Sequence, residues 1–276
     1  MNRVHIRIHI FRKQGYTFPM KTLPLKNPFG AAVYHEESVS STFAAAHLLA
    51  ANNAAHGTVI SADFQEAGRG RLNRRWVTER GKNLMFTIIL HYAGASSMPP
   101  ALTLRTGLAV SLAIEDIAPA LAGGSVRIKW PNDVMINGRK AAGILTEADG
   151  KTVFIGVGVN VAQEEFPAQY RSKAGSIIHS FPALTENARF DLLEKILSRL
   201  YAEIENPTAE SQTWRERLLE RLYKKGESVT FAEGAADSED LVEGILSGLG
   251  PDGELLIIPK GEEKERSFIT GELRVY

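Results

Sequence analysis

The sequence predicts an α+β protein, in which a mixed or antiparallel sheet with flanking helices is followed by a small all-β domain. Three observations carry this. Apolar runs of strand length recur at residues 58–64, 84–90, 126–130, 134–136, 140–147 and 153–159. Residues 102–121 and 189–205 instead repeat apolar positions at helical spacing. After Gly226 only short alternating runs remain, separated by Gly, Pro and Asp, which places a domain boundary near residue 224.

Residues 1–30 read as a loosely held extension, dotted with Pro19, Pro24 and Pro28, whose alternation His5-Ile6-Arg7-Ile8-His9-Ile10 fits one edge strand. Ser41 reads as the N-cap of an Ala-rich helix running to Asn52. Strand 58–64 leads into an Arg/Gly-rich stretch, 68–75, and then strand 84–90. Gly123-Gly124 stops the helix over 102–121. The centre reads as a β-meander. Pro131 ends strand 126–130, Asn137-Gly138 joins 134–136 to 140–147 as a hairpin, and Asp149-Gly150 turns the chain into 153–159. Leu193, Ile196, Leu197, Leu200 and Ile204 form one face of helix 189–205, which Asn206-Pro207 stops. A further helix covers 214–223. The last domain carries strands at 228–231, 241–246, 254–258 and 267–276.

Composition narrows the function. Of 276 residues 44% are hydrophobic, too many for a disordered chain. Lys+Arg and Asp+Glu both number 32, so the chain is neither a nucleic-acid coat nor a polybasic membrane protein. With no cysteine there is no disulfide, thiolate metal site or cysteine nucleophile, which suits a reducing compartment. No apolar run is long enough for a bilayer, and residues 1–14 lack the apolar stretch of a signal peptide. The expected location is cytoplasmic.

Three stretches carry chemistry. In Gln65-Glu66-Ala67-Gly68-Arg69-Gly70-Arg71-Leu72-Asn73-Arg74-Arg75-Trp76, four arginines are interleaved with two glycines. Glycine lets a backbone approach a ligand, and arginine holds phosphate or carboxylate with two-pronged geometry. The residues alone leave open a solvated basic loop or a patch on a nucleic-acid backbone. A loop of this kind directly after a buried strand favours an anionic small-molecule site. In Arg127-Ile128-Lys129-Trp130-Pro131-Asn132-Asp133, proline ends the strand, so Lys129 sits where the sheet opens into a loop. The third stretch pairs Arg139-Lys140-Ala141-Ala142-Gly143-Ile144-Leu145 with Gly156-Val157-Gly158-Val159-Asn160. For its glycines ordinary sheet packing is the simpler reading.

Taken in order, Gly68-Arg69-Gly70-Arg71 with Trp76, Lys129-Trp130-Pro131-Asn132-Asp133, Ala142-Gly143-Ile144-Leu145 and Gly156-Val157-Gly158-Val159-Asn160 resemble the signature series of biotin protein ligases. Val39-Ser40-Ser41-Thr42 resembles the family's Ser-Thr pair. The likeness runs from about Ala32 to the C-terminus. It departs at Phe43, where the family usually has Asn, and at Leu72 and Asn73, where it frequently has Arg and Gly.

The resemblance implies a class II aminoacyl-tRNA synthetase-like catalytic domain over 31–223, after an extension over 1–30, and an SH3-like barrel over 224–276. It implies a ligase of the type without a DNA-binding domain, since residues before Ser41 show no helix-turn-helix pattern. Such an enzyme joins biotin to ATP, with Mg²⁺, as biotinyl-5'-AMP. It then passes biotin to one lysine of a biotin carboxyl carrier protein or domain. DNA and membranes are not expected partners, and the chain acts as a monomer or a homodimer. The expected catalytic residues are Lys129, Arg69 and Arg71. Ser41, Thr42, Gln65, Gly68, Arg69, Gly70, Arg71, Lys129 and Gly143 are expected to bind biotin, and Arg71, Trp76, Lys129, Asn132 and Asn160 the adenylate. No protein side chain is expected to ligate a metal. For Ser41 the N-cap role and for Asn160 a strand-ending turn role stand beside these. The rival readings are a lipoate–protein ligase with the same adenylate chemistry and a nucleic-acid-binding module built on the arginine loop.

Overall fold

The computed structural model describes residues 8–13, 16–184, 188–206, 213–234 and 240–274, with the backbone alone described for 8–13, 16–19 and Asn73. Its larger sheet has nine strands among the described residues: β1 (Ile8–Lys13), β2 (Tyr16–Leu23), β3 (Val33–Glu36), β4 (Thr58–Ala62), β5 (Leu84–His91), β6 (Val126–Lys129), β7 (Asp133–Ile136), β8 (Arg139–Asp149) and β9 (Thr152–Val159). Their spatial order is β1-β2-β3-β4-β5-β9-β8-β7-β6. Only β3 and β4 pair parallel; the other pairs are antiparallel.

The side-chain period of two assigns the faces. On β5, Phe86, Ile88 and Leu90 join a core cluster with α2 (Leu102–Ile117) and α4 (Ala188–Ile204). Ile89 points the other way, into a smaller cluster under α1 (Thr42–Ala51). On β9, Val153, Ile155, Val157 and Val159 face the helix pair, while Phe154 lies under α1. The next residues on that second face are Gly156 and Gly158. With no side chain there, α1 covers one end of the face and leaves a hollow at the other. Each large apolar side chain buried in these layers contributes roughly 1.5–3 kcal/mol, so the face holding only glycine is there at the expense of core.

The smaller sheet, of five strands among the described residues, runs β13 (Arg266–Phe268), β12 (Leu255–Pro259), β11 (Leu241–Leu249), β10 (Ser228–Glu233) and β14 (Gly271–Arg274). Its core residues Phe231, Leu246, Ile257 and Leu273 form one cluster with Leu104 and Leu108 of α2, Ile128, Trp130 and Leu218 of α5 (Trp214–Arg221). The Trp130 Nε1–H donates to the Gly253 carbonyl at 3.0 Å. The two sheets are therefore joined through apolar surface at the end of β6.

Several expectations are corrected. The extension is not a loose leader from residue 8 onward: β1 and β2 form a hairpin, β2 pairs with β3, and Met20 is buried against Tyr34 and Phe43. Helix 102–121 stops at Ile117, because Pro119 has no N–H to continue it, and a 3₁₀ turn follows over Pro119–Leu121. Strand 267–276 divides into β13 and β14 before Gly271, which has φ +141. Strand β3 and a short helix α3 (Ile177–Ser180) were not anticipated, each being only four residues long. His5-Ile6-Arg7, Pro207 and residues 275–276 lie outside the described residues.

Candidate active site

The hollow on the glycine face is a cavity of about 550 Å³. Its floor is Gly143 on β8 with its cross-strand partner Gly158 and, two residues before it, Gly156 on β9. Sequence reasoning left Gly156 and Gly158 as packing glycines and expected only Gly143 at the ligand, through the resemblance; the structure brings all three to the floor. A Cβ at Gly156 would overlap the Phe43 ring, and one at Gly158 would stand 2.6 Å from Trp76 Cε2. One at Gly143 would meet Trp76 at 3.2 Å and the Lys140 Nζ at 3.3 Å.

The N-terminus of α1 forms one end. Ser41 caps it, its Oγ accepting from the Ala44 N–H at 3.1 Å, and also lines the cavity. The Gln65 side-chain oxygen Oε1 accepts from Thr42 N–H at 2.8 Å and Thr42 Oγ1 at 3.1 Å, and Thr87 Oγ1 donates to Thr42 Oγ1 at 2.9 Å. This network leaves the Gln65 amide as a donor and Ser41 with its own O–H to donate.

Over the cavity lies the arginine loop, a tight hairpin. Trp76 N–H donates to Gly68 O at 2.9 Å and Gly70 N–H to Arg74 O at 2.8 Å, closing a 3₁₀ turn at Arg71–Asn73 whose Leu72 has φ +56. Three of the four loop arginines have side-chain partners. Arg69 reaches Glu147 of β8 at 3.3 Å, and Arg71 reaches Asn132 Oδ1 at 3.4 Å. Arg74 makes a two-pronged pair with Glu272 of β14 at 2.9 and 2.7 Å. Burial holds the Arg71 guanidinium below the ordinary arginine value. Burial acts to raise Glu272, but the Arg74 hydrogen bond and the charges of Arg74, Lys129 and Arg71 bring it below the ordinary carboxylate value.

Lys129 ends β6, as the following proline dictates, and is 4% exposed. Burial lowers its pKa, with the charges of Asp133 and Glu272 opposing that shift. Asn132 is fixed by its amide donating to Ile144 O at 3.0 Å. Asn160 is buried, and its amide donates to Gly175 O at 3.1 Å, a structural duty beside its place in the cavity lining.

Of the expected residues only Gly68 does not line the cavity; it anchors the base of the loop instead. The structure adds residues that sequence reasoning missed. Lys140 projects over the floor, 5.7 Å from the Trp76 ring centroid, with Asp133 2.6 Å from its Nζ. It stands two residues past the Asn137-Gly138 turn, in a stretch where only the glycines were weighed. Phe166 and Tyr170 join the lining, and Glu272 and Arg274 arrive from the smaller sheet. Nothing local in the sequence ties Glu272 to residue 74. Among the described residues no cluster of three His, Cys, Asp or Glu could hold a metal ion.

The comparisons agree with this geometry. Residues 36–160 match the model of the biotin/lipoate A/B protein ligase family. A biotin–[acetyl-CoA-carboxylase] ligase of Paracoccus denitrificans is 32% identical over 200 residues, covering 67% of this chain and 79% of the relative. The chain belongs to the biotin protein ligase family. A bifunctional ligase/repressor BirA of Bacillus spizizenii is 41% identical over 155 residues, covering 54% of this chain and 46% of the relative. The chain thus spans about half the length of that relative. A solved biotin protein ligase of Aquifex aeolicus, in complex with biotin and ATP, superposes with a TM-score of 0.71 at 28% identity, over 88% of this chain and 97% of the other. The superposition supports the family's α+β catalytic fold with its C-terminal five-stranded sheet.

Proposed function

We propose that this chain activates biotin with ATP as biotinyl-5'-AMP and transfers it to a lysine of a biotin carboxyl carrier domain. The observation that carries the proposal is the pair Lys129 and Lys140, both lining one cavity beneath an arginine loop and above a glycine floor. Joining a carboxylate to an α-phosphate brings two negative groups together. Fixed positive charge in a site closed to water is what offsets that repulsion.

Lys129 is buried at the mouth of β6 and is assigned to the α-phosphate and the attacking carboxylate. Lys140, over the floor beside Trp76, is the second cation for the carboxylate. Arg71 and Arg69 close the loop over the adenylate, and Asn132 holds Arg71 in place. The donor end of Gln65, with Ser41 and Thr42, suits the ureido group of biotin, and the cavity's apolar wall its thioether ring. Trp76 and Asn160 border the adenylate side. The pocket carboxylates Asp133 and Glu272 are already paired with Lys140 and Arg74. That donor set fits Mg²⁺ arriving on the ATP phosphates as part of the substrate rather than on protein ligands.

The same reading keeps an extension over 1–30, a catalytic domain over 31–223 and a small all-β domain over 224–276. It makes DNA an unneeded partner, because Arg69, Arg71 and Arg74 are engaged at the cavity. It places the protein in the cytoplasm, as a monomer or a homodimer; no helix among the described residues is long and apolar enough to cross a membrane. The test is to incubate the protein with ATP, Mg²⁺, biotin and a purified carrier domain, and to probe the carrier with streptavidin. Biotin appearing on the carrier only when ATP is present supports the proposal. A carrier left unmodified while a known ligase modifies it refutes the proposal.

A further inference from the structure

Phe43 is one of the positions at which the sequence departs from the pattern it resembles, where asparagine was expected. It is buried at 4% exposure in the first turn of α1 and lines the cavity. One edge of its ring presses on the backbone at Gly156, where a Cβ would overlap it. Arg69 of the loop lies over the ring, its guanidinium carbon 5.7 Å from the centroid, within the roughly 6 Å reach of a cation–π contact. The same guanidinium meets Glu147 at 3.3 Å. Arg69 and Glu147 are 47% and 37% exposed, so their ion pair alone contributes little. The ring beneath adds a second, directional contact, and Gly156 fixes the ring.

The loop is thereby held at both ends. Arg69 is caught between Phe43 and Glu147 on the larger sheet, and Arg74 is caught by Glu272 on the smaller one. Between them Arg71 reaches Asn132, while Leu72 is exposed. An asparagine at position 43 offers no π face and could not hold Arg69 this way.

We propose that Phe43 is a positioning residue, whose ring, with Glu147, holds Arg69 so that the loop is partly closed before substrate arrives and so sets how tightly biotin is retained. The proposal rests on the reading of the cavity as a biotin–adenylate site and deepens it. Phe43 touches no reacting atom; it acts through Arg69.

The test uses the full chain and two readouts. The first needs no substrate: the rate at which trypsin cuts at the loop arginines. The second is the dissociation constant for biotin by calorimetry. Phe43→Leu keeps an apolar side chain and removes the π face, and should raise cutting and weaken biotin by about two- to fivefold each, the range of an exposed cation–π contact. Phe43→Tyr should restore both. Glu147→Gln, at a surface position that spares the core, should shift both in the same direction by less. In an Arg69→Met background, Phe43→Leu should add nothing. The proposal is overturned if Phe43→Leu cuts and binds as wild type, if Phe43→Tyr fails to restore, or if the Phe43→Leu effect persists without Arg69. Should Phe43→Leu not fold, wild-type cutting and binding by Glu147→Gln overturns it. A wild type that binds no biotin sinks the reading of the cavity instead, and the cutting rates still decide the clamp.

Discussion

Gly158→Ala puts one methyl group into the floor of the cavity. A Cβ there would stand 2.6, 2.8 and 2.9 Å from Cε2, Cζ2 and Nε1 of Trp76. Carbon atoms rest at about 3.5 Å or more, so the ring must retreat by most of an ångström. Gly158 has no left-handed φ, so the cost is steric and not conformational. Overpacking of this size costs about 1–3 kcal/mol. Trp76 lies on the wall of a 550 Å³ cavity and can yield into it, so the strain falls on ligand binding more than on folding. At 1.4 kcal/mol per tenfold, affinity for biotin or ATP should weaken by about five- to hundredfold. Calorimetric titration with each ligand gives this number, and a thermal melt beside it should move by only a few degrees. Gly94→Ala is the control, since a Cβ there meets nothing within 4 Å. Unchanged affinity in Gly158→Ala, or a collapsed melt with affinity intact, would refute the assignment of Trp76 and the floor to the ligand.

Other perturbations test other parts. Lys129→Met should abolish adenylation without lowering the melting temperature, because it removes a buried charge along with its desolvation cost. The folded Lys129 pKa lies below the ordinary value of 10.5, so the unfolded chain binds more protons between the two values and stability rises with pH across that window. Urea titrations across that window should show the rise in wild type and its loss in Lys129→Met. Arg71→Gly should loosen the loop and let the adenylate escape, so that bystander proteins become biotinylated on a streptavidin blot; strict carrier specificity would contradict the lid role. Arg74→Ala should cost at most about 1 kcal/mol, since Arg74 is 56% exposed. Glu272 titrates below its ordinary value of 4.5, so that difference should be constant near neutrality and vanish as the pH falls through the folded value.

Much of this was legible in the sequence because the signals are local. Ser41 announces its helix through a cap, Asn137-Gly138 its hairpin through φ +49 and +78, and Pro131 the strand end that places Lys129. The arginine loop is visible because four guanidinium groups in seven residues demand anionic company. What stayed hidden depends on contacts between distant segments. Lys140 received no role because nothing near it tells that Trp76, from the loop, covers the glycine floor. Glu272 is unremarkable beside its neighbours and gains meaning only when the smaller sheet brings it to Arg74. Of the β1–β2 hairpin only an edge strand over 5–10 was legible; β2 went unread because it holds Pro19, and β3, its partner, is only four residues long.

The central claim is that Lys129 joins biotin to ATP in this cavity. The most direct measurement is biotin-dependent release of pyrophosphate from ATP, for wild type and Lys129→Ala, with lipoate as the control acid. Release is expected with biotin and not with lipoate, and is lost in the variant while the fold persists. Release that survives in Lys129→Ala would contradict the role of Lys129, and no release with biotin would contradict the ligase reading itself.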